Sequence, residues 1–160
     1  MLAGSLRIVV PVLAAILLAS PARYAPAIRL DRSTPAWERV VREIRAQGLG
    51  NCYLAAFTLA THAGELGLEH VVVVEGTQMG EGAIAGTRFG HSWVEADVDG
   101  GERVAIDYSS GNALVMDRDT YRFIRQARDV HEYGVSEAER LAAGGDYGPW
   151  TEDVLNAWHP

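Results

Sequence analysis

Lysine is absent from this chain of 160 residues, and cysteine occurs once. Without lysine, the chain has no side-chain amine that can act as a nucleophile or form a Schiff base with a carbonyl group. One cysteine excludes an internal disulfide, so the Cys52 thiol is free, buried as a small apolar group, or paired with another molecule. The chain has 14 basic residues, all of them arginine, and 21 acidic ones, and this net charge of −7 argues against a nucleic-acid partner.

Long apolar runs are also missing, apart from one near the N-terminus. The run covers residues 8–19, follows a weakly positive start and precedes Ser20-Pro21-Ala22, as in a secretory signal peptide. It is shorter than the roughly 20 residues of a membrane-spanning helix. We expect residues 1–22 to be a signal peptide, which makes the protein extracellular or part of the cell envelope. One alternative is that this segment is an uncleaved anchor, which is the only membrane contact that we expect for the chain. The other is that the start codon is misassigned and the protein is cytoplasmic.

The rest of the chain has the composition of a folded domain. Hydrophobic residues make up 48% and charged residues 22%, which is not the composition of a disordered chain. Residues 23–34 predict an irregular linker, since they contain proline and Ser33-Thr34. Residues 35–160 then form a single domain, with enough length for one hydrophobic core.

Helical patterns occur at both ends of this domain. Apolar residues at helical spacing from Trp37 to Ile44 predict an amphipathic helix over 36–47. Asn51 is a suitable N-cap for a second helix over 52–66, whose apolar sequence indicates a place in the middle of the domain. Towards the C-terminus we expect a helix over 117–126, a strand over 128–133, a helix opened by the capping box Ser136–Glu139 and ending at 144–145, and a last helix over 151–158.

Between these helices the sequence predicts strands. Val71–Val74 indicates a strand that is buried on both faces. Residues 76–90 contain five glycines and predict a mobile loop that gates access to a nearby site. Residues 91–98 and 102–108 predict a β-hairpin, because the Asp-Gly-Gly sequence at 99–101 suits a tight turn.

The register of this hairpin is well specified. The short turn places Val94 opposite Ile106 on an apolar face, and a shift by one residue would break up that face. The other face carries His91, which lies opposite Ser109 and diagonal to Asp107. The hairpin alone therefore brings the imidazole and the carboxylate within reach of each other.

Cysteine, histidine and aspartate, in this order along the chain, predict a catalytic triad. A thiol attacks as a thiolate, which the unpaired N–H groups of a helix N-terminus stabilise. Cys52 occupies such a position, His91 supplies the base that pairs with the sulfur, and Asp107 holds the imidazole in the required tautomer. Each residue alone also has a structural interpretation, as a buried thiol, a strand histidine or a solvated carboxylate.

Four further residues are weaker candidates for the oxyanion site or for substrate contacts. The N–H of Cys52 is the first oxyanion donor, and the second is the amide of Gln47 or Asn51. Alternatively, Gln47 is a helix surface residue and Asn51 is only a helix cap. Glu95 binds a substrate amine or lines a polar strand face, and Trp93 shields the histidine–aspartate bond from water or only packs against its neighbours.

No cofactor or metal is expected. His70, His91 and His131 are the residues that would bind zinc, but their spacing matches no zinc-ligand pattern. The predicted chemistry needs neither group, because the thiolate is the nucleophile and the imidazole carries the proton.

The segments that carry these residues resemble one known family. The pattern is Gly50-x-Cys52 opening an apolar helix, Gly67 closing it, then Val71–Val74, His91-Ser92-Trp93-Val94-Glu95 and Val104-Ala105-Ile106-Asp107. From residue 48 to 110 it is similar to the core of the transglutaminase-like cysteine enzymes, most specifically in the His-Ser-Trp-Val-Glu segment. The resemblance implies a papain-like α+β fold, with a central cysteine-bearing helix on a small antiparallel sheet, and Cys52, His91 and Asp107 as the triad.

We therefore expect an exported cysteine hydrolase or acyl transferase that acts on an amide bond in a peptide or protein, such as a thiol peptidase or an amidase. The first alternative is an inactive member of the fold that binds a peptide or a partner. The second is acyl transfer of the arylamine acetyltransferase kind, although that family is longer and carries a further domain after the aspartate. A third is a membrane-anchored structural protein that retains residues 8–19.

Overall fold

The computed structural model describes residues 30–47, 51–98, 100–108 and 111–143. In chain order the elements are α1 Pro35–Ala46, α2 Cys52–Thr61, β1 Glu69–Met79, β2 Arg88–Val98, β3 Glu102–Asp107, β4 Leu114–Asp117, α3 Arg118–Ile124, β5 Arg128–Gly134 and α4 Val135–Ala143. The strands form one antiparallel five-stranded sheet in the order β4-β3-β2-β1-β5. With its four α-helices, the described part of the chain confirms the predicted α+β class.

The main hydrophobic core lies between the sheet and α1, α2 and α4. Helix α1 begins where Thr34 Oγ1 accepts a hydrogen bond from the N–H of Trp37 at 3.1 Å, with Pro35 in the first turn. Its buried residues, Trp37, Val40 and Ile44, belong to the predicted apolar stripe, and the fourth member, Val41, is partly buried against the same core. Helix α2 has almost no polar side and packs against β2, which explains its position in the middle of the domain.

The predicted hairpin is present in the predicted register. Val94 pairs with Ile106, and both side chains belong to the main core. On the opposite face of the sheet, Trp93 and Ala105 pack with Tyr121 of α3 in a second, smaller cluster. The hairpin therefore separates two apolar layers, and His91 lies on β2 beyond the last β2–β3 pair.

The glycine-rich stretch 76–90 was wrongly predicted to be a mobile loop, because both of its ends are strand. Gly76 pairs with His91 across β1 and β2, and the connection between these strands is residues 80–87. A Cβ at Gly76 would lie 2.8 Å from the carbonyl oxygen of Arg128 on β5. The lack of a side chain at Gly76 therefore allows β1 and β5 to approach each other closely, and its role is not to make a loop flexible.

Other boundaries also differ from prediction. The helix expected over 52–66 ends at Thr61, and a 3-10 helix follows over Ala63–Leu66. Helix α4 begins before Ser136, which is therefore not its N-cap, and β4 was not predicted. Leu30 packs against the main core, so the end of the predicted linker belongs to the domain.

Several predictions concern residues outside the described ranges. They are the segment over 1–22, the pairing of Ser109, the helix end at 144–145 and the last helix at 151–158. Within the described ranges, no helix is both long enough and apolar enough to span a membrane.

Candidate active site

Cys52 is the first residue of α2 and is partly exposed. Asn51 caps this helix, since its Oδ1 accepts a hydrogen bond from the N–H of Leu54 at 3.0 Å. The first N–H groups of a helix have no acceptor within the helix. The N–H groups of Cys52 and Tyr53 therefore point out of the helix end that carries the thiol, where the positive end of the helix dipole lies.

His91 and Asp107 form a buried pair. Nε2 of His91 lies 2.8 Å from Oδ2 of Asp107, and the two side chains are only 6% and 10% exposed. Because the carboxylate is an acceptor, Nε2 carries the proton of this bond, and Nδ1 is the ring nitrogen left to face Cys52.

The protonation of His91 reflects both of its partners. Burial lowers the pKa of His91, but the hydrogen bonding and the charges of Asp107 and Cys52 outweigh burial and raise it to about 9. At neutral pH, His91 is therefore an imidazolium between two groups that carry or can acquire negative charge. The structure thus brings all three predicted triad residues together.

Aromatic rings hold the imidazole in place. The ring of Trp93 stacks on His91 with 6.3 Å between centroids and an interplanar angle of 19°, and the edge of Phe89 approaches at 5.6 Å. Trp93 is fully buried. It therefore occupies the position from which it can exclude water from His91, as its place on the strand suggested.

Glu95 is not placed to bind a substrate amine. Its side chain is fully buried, and Arg122 donates to its two carboxylate oxygens at 2.7 and 2.8 Å. The indole N–H of Trp93 donates to the same carboxylate at 3.0 Å. Glu95 therefore anchors the tryptophan that stacks on the histidine, and the substrate-binding expectation is corrected to a structural ion pair.

Gln47 also lies away from the thiol. Its Oε1 accepts a hydrogen bond from Thr58 Oγ1 at 3.1 Å. Thr58 lies about 9 Å along the helix axis from Cys52, given the rise of about 1.5 Å per residue. The expectation of an oxyanion role for Gln47 is therefore corrected: its amide is tied to the side of α2 and not to its N-terminus. Asn51 adjoins the thiol, but its carbonyl oxygen serves the helix cap.

Sequence reasoning missed two residues that complete the site. The hydroxyl of Tyr121 donates to Oδ2 of Asp107 at 2.9 Å, and Nε2 of Gln78 donates to that hydroxyl at 2.9 Å. Burial and the charge of Asp107 raise the pKa of Tyr121, so the hydroxyl stays protonated. No local motif marks these residues, because α3 and β1 meet Asp107 only through tertiary packing.

The three histidines considered as zinc ligands lie in different surroundings. His70 pairs with Asp97 on the exposed end of the sheet, and His131 lies on β5 opposite Glu75. Among the described residues, no three histidine, cysteine, aspartate or glutamate side chains form a group that could hold a metal ion.

Comparisons with known proteins add no assignment: no protein-family model, curated protein or solved structure matches the chain.

Proposed function

We propose that the protein is a cysteine-dependent hydrolase or acyl transferase that acts on amide bonds. The observation that carries the proposal is the position of His91, which interacts with Asp107 on one side and Cys52 on the other, at the N-terminus of a helix. A thiolate–imidazolium pair in this setting is the nucleophile and the acid of thiol-based acyl transfer.

In the proposed reaction, the Cys52 thiolate attacks the carbonyl carbon of an amide. The N–H groups at the start of α2 receive the charge that develops on the carbonyl oxygen. His91 then gives its proton to the departing amine, the carbon–nitrogen bond breaks, and a thioester remains. Water or an acceptor amine loses a proton to His91, attacks the thioester and releases the acyl group from sulfur.

The transglutaminase-like, papain-like core is part of the same proposal. It is supported by a nucleophile at the start of a central helix and by a histidine and an aspartate on neighbouring antiparallel strands. A peptide or protein substrate and export through residues 1–22 remain predictions from the sequence. Mass spectrometry of the expressed protein tests export, since cleavage removes the first two dozen residues or so.

The reactivity of the thiol provides the direct test of the proposed function. We expect an alkylating reagent to label the wild type rapidly at one site near neutral pH, and to leave Cys52→Ala unlabelled. The matched control adds Glu139→Cys to Cys52→Ala, which supplies an ordinary thiol at an exposed position in the middle of α4, away from a helix N-terminus. If Cys52 and this reference thiol react at similar rates from pH 5 to 9, the protein is an inactive binding fold.

A second measurement tests whether the labelled thiol also performs acyl transfer. Incubation with an activated ester should yield a mass increase of one acyl group on the wild type and none on Cys52→Ala. An added primary amine should accelerate loss of the acyl group if the thioester is open to acceptors. A thiol that alkylates rapidly but never accepts an acyl group would contradict the proposed reaction.

A further inference from the structure

Asp107 receives hydrogen bonds from two sides on a single oxygen. His91 donates to its Oδ2 at 2.8 Å, and Tyr121 donates to the same Oδ2 at 2.9 Å. Behind Tyr121, the amide of Gln78 donates to the phenolic oxygen at 2.9 Å. All four residues are buried, so the chain of donors that ends on this carboxylate is shielded from solvent.

The direction of the protons in this chain is fixed by the carboxylate. A phenolic hydroxyl has one hydrogen, and Asp107, as an anion, can only accept. Tyr121 therefore points its hydrogen at Asp107 and offers its lone pair to Gln78, which must donate through its amide nitrogen. Each donor polarises the next, so Gln78 strengthens the bond from Tyr121 to Asp107.

The two donors compete for the same negative charge. The hydrogen bond from the Tyr121 hydroxyl partly neutralises the negative charge on Oδ2, and this weakens the interaction of Oδ2 with the imidazolium of His91. We propose that Tyr121, held by Gln78, is a positioning residue that fixes the Asp107 carboxylate and limits how tightly Asp107 holds the proton on His91. For its catalytic consequence, this inference rests on the proposed function, in which His91 must give up that proton to the leaving amine.

The other charged groups near this network act through different atoms. Cys52 faces the ring of His91, and Arg125 lies over the ring of Tyr121 with its guanidinium carbon 6.0 Å from the centroid. Arg122 and Glu95 form their pair behind Trp93. None of these contacts uses the oxygen on which Tyr121 and His91 meet, so removing the Tyr121 hydroxyl changes that contact directly.

The test is an NMR titration of the His91 ring in Tyr121→Phe, compared with Tyr108→Phe as a matched control. Tyr108 is also buried and follows Asp107 in sequence, but its hydroxyl accepts a hydrogen bond from Arg45 at 3.0 Å. All variants carry Cys52→Ala, so that no thiol titrates together with the ring. We expect Tyr121→Phe to raise the pKa of His91 by about 0.5 to 1 unit, because Oδ2 of Asp107 then loses a donor that competes with the imidazolium.

Tyr108→Phe should leave the pKa of His91 unchanged. An unchanged or lowered pKa in Tyr121→Phe overturns the proposal, because Tyr121 would then be a packing residue or only a support. This readout needs no activity, so it separates a failure of this inference from a failure of the proposed function.

A milder variant keeps the proposal testable if Tyr121→Phe folds poorly. Gln78→Leu retains the tyrosine but removes the donor that polarises it, so the pKa of His91 should rise by less than in Tyr121→Phe. With the thiol present, the alkaline limb of the pH profile for acyl transfer should move in the same direction in each variant. Profiles that coincide with the wild type in both variants would refute the role assigned to Tyr121.

Discussion

The sheet carries two histidine–aspartate pairs of almost equal length in different surroundings. Nδ1 of His70 lies 2.9 Å from Asp97, and Nε2 of His91 lies 2.8 Å from Asp107. The His70 side chain is 77% exposed, whereas that of His91 is 6% exposed. The length of the hydrogen bond therefore does not distinguish a surface contact from a candidate catalytic pair.

The surroundings make the difference. Asp97 also accepts a hydrogen bond from Arg103 at 3.1 Å, and hydrogen bonds from Arg103 and His70 lower its pKa in a solvated setting. Such a pair is screened by water and salt. The His91 pair lies between Trp93 and the thiol, where charges interact strongly. Burial and a neighbouring thiol, more than the pair itself, make His91 the candidate for acid–base chemistry.

The largest expected difference between the two pairs is in catalysis. His91→Ala should lower turnover of an activated ester by about 10²- to 10⁴-fold, the range typical of a lost general acid–base residue. His70→Ala should stay within about twofold of the wild type, because an exposed histidine outside the site contributes no proton transfer. Similar losses in the two variants would remove the distinction on which the site assignment rests.

The next largest difference is in the free energy of unfolding. Asp107→Ala leaves a buried imidazolium and the Tyr121 hydroxyl without their acceptor, which should cost about 3 kcal/mol at pH 7. Asp97→Ala breaks an exposed contact, and we expect no measurable change. Urea unfolding of both variants checks this. If Asp107→Ala is as stable as the wild type, the His91–Asp107 pair is not a buried ion pair in solution.

Glu75 extends the comparison to a buried carboxyl group. Both carboxylate oxygens of Glu75 are buried and have no hydrogen-bond partner among the described residues. Burial raises the pKa of Glu75 from 4.5 to about 8. Its titratable neighbours include His131, its partner on β5, and Tyr53 and Tyr133, which are partly or fully buried. Glu75 is therefore a neutral acid in the core at neutral pH.

This raised pKa predicts that stability falls as pH rises. Below pH 4.5 both states hold the proton of Glu75, whereas between 4.5 and about 8 only the folded state does, so unfolding becomes easier. We expect a loss of about 2 kcal/mol from pH 5 to 8, after allowance for partial solvation. Glu75→Gln should remove this part of the slope, and Glu69→Gln, an exposed control on the same strand, should not.

A smaller slope should remain in Glu75→Gln because of His91. The pKa of His91 is raised from 6.5 to about 9, so its stabilising effect is complete below 6.5 and is lost as pH rises through 9. Unfolding curves at several pH values separate the Glu75 contribution, which changes between pH 4.5 and about 8, from the His91 contribution, which changes between pH 6.5 and about 9. A Glu75→Gln variant with the full wild-type slope would show that Glu75 is ionised or solvated in the folded protein.

The proximity of the three triad candidates was predictable from sequence because local rules place each of them. Asn51 signals the start of a helix one residue before Cys52, and the turn length sets the hairpin register that aligns His91 with Asp107. These rules act within a helix turn or a single hairpin. They need no information about how distant elements pack.

The supporting residues were not predictable for the opposite reason. Tyr121 reaches Asp107 because α3 packs on the face of the sheet opposite the main core. Gly76 was predicted to lie in a loop because the contact that requires a glycine there is not local. That contact is the carbonyl of Arg128 on β5, a strand far along the chain. Contacts between distant segments determine both roles, and no sequence period reports such contacts.

The smallest expected effect concerns the helix end beside the buried pair. Asn51→Ser keeps an N-cap oxygen but removes the side-chain amide, so stability should change by only a few tenths of a kcal/mol, whereas Asn51→Ala should cost about 1 kcal/mol. Because the Asn51 carbonyl already caps α2, ester turnover by Asn51→Ser should stay within about threefold of the wild type. An oxyanion donor would instead give a loss of about 10²- to 10³-fold at unchanged stability. That result would give Asn51 a catalytic role in addition to its cap, and comparing turnover with unfolding in the two variants separates the two roles.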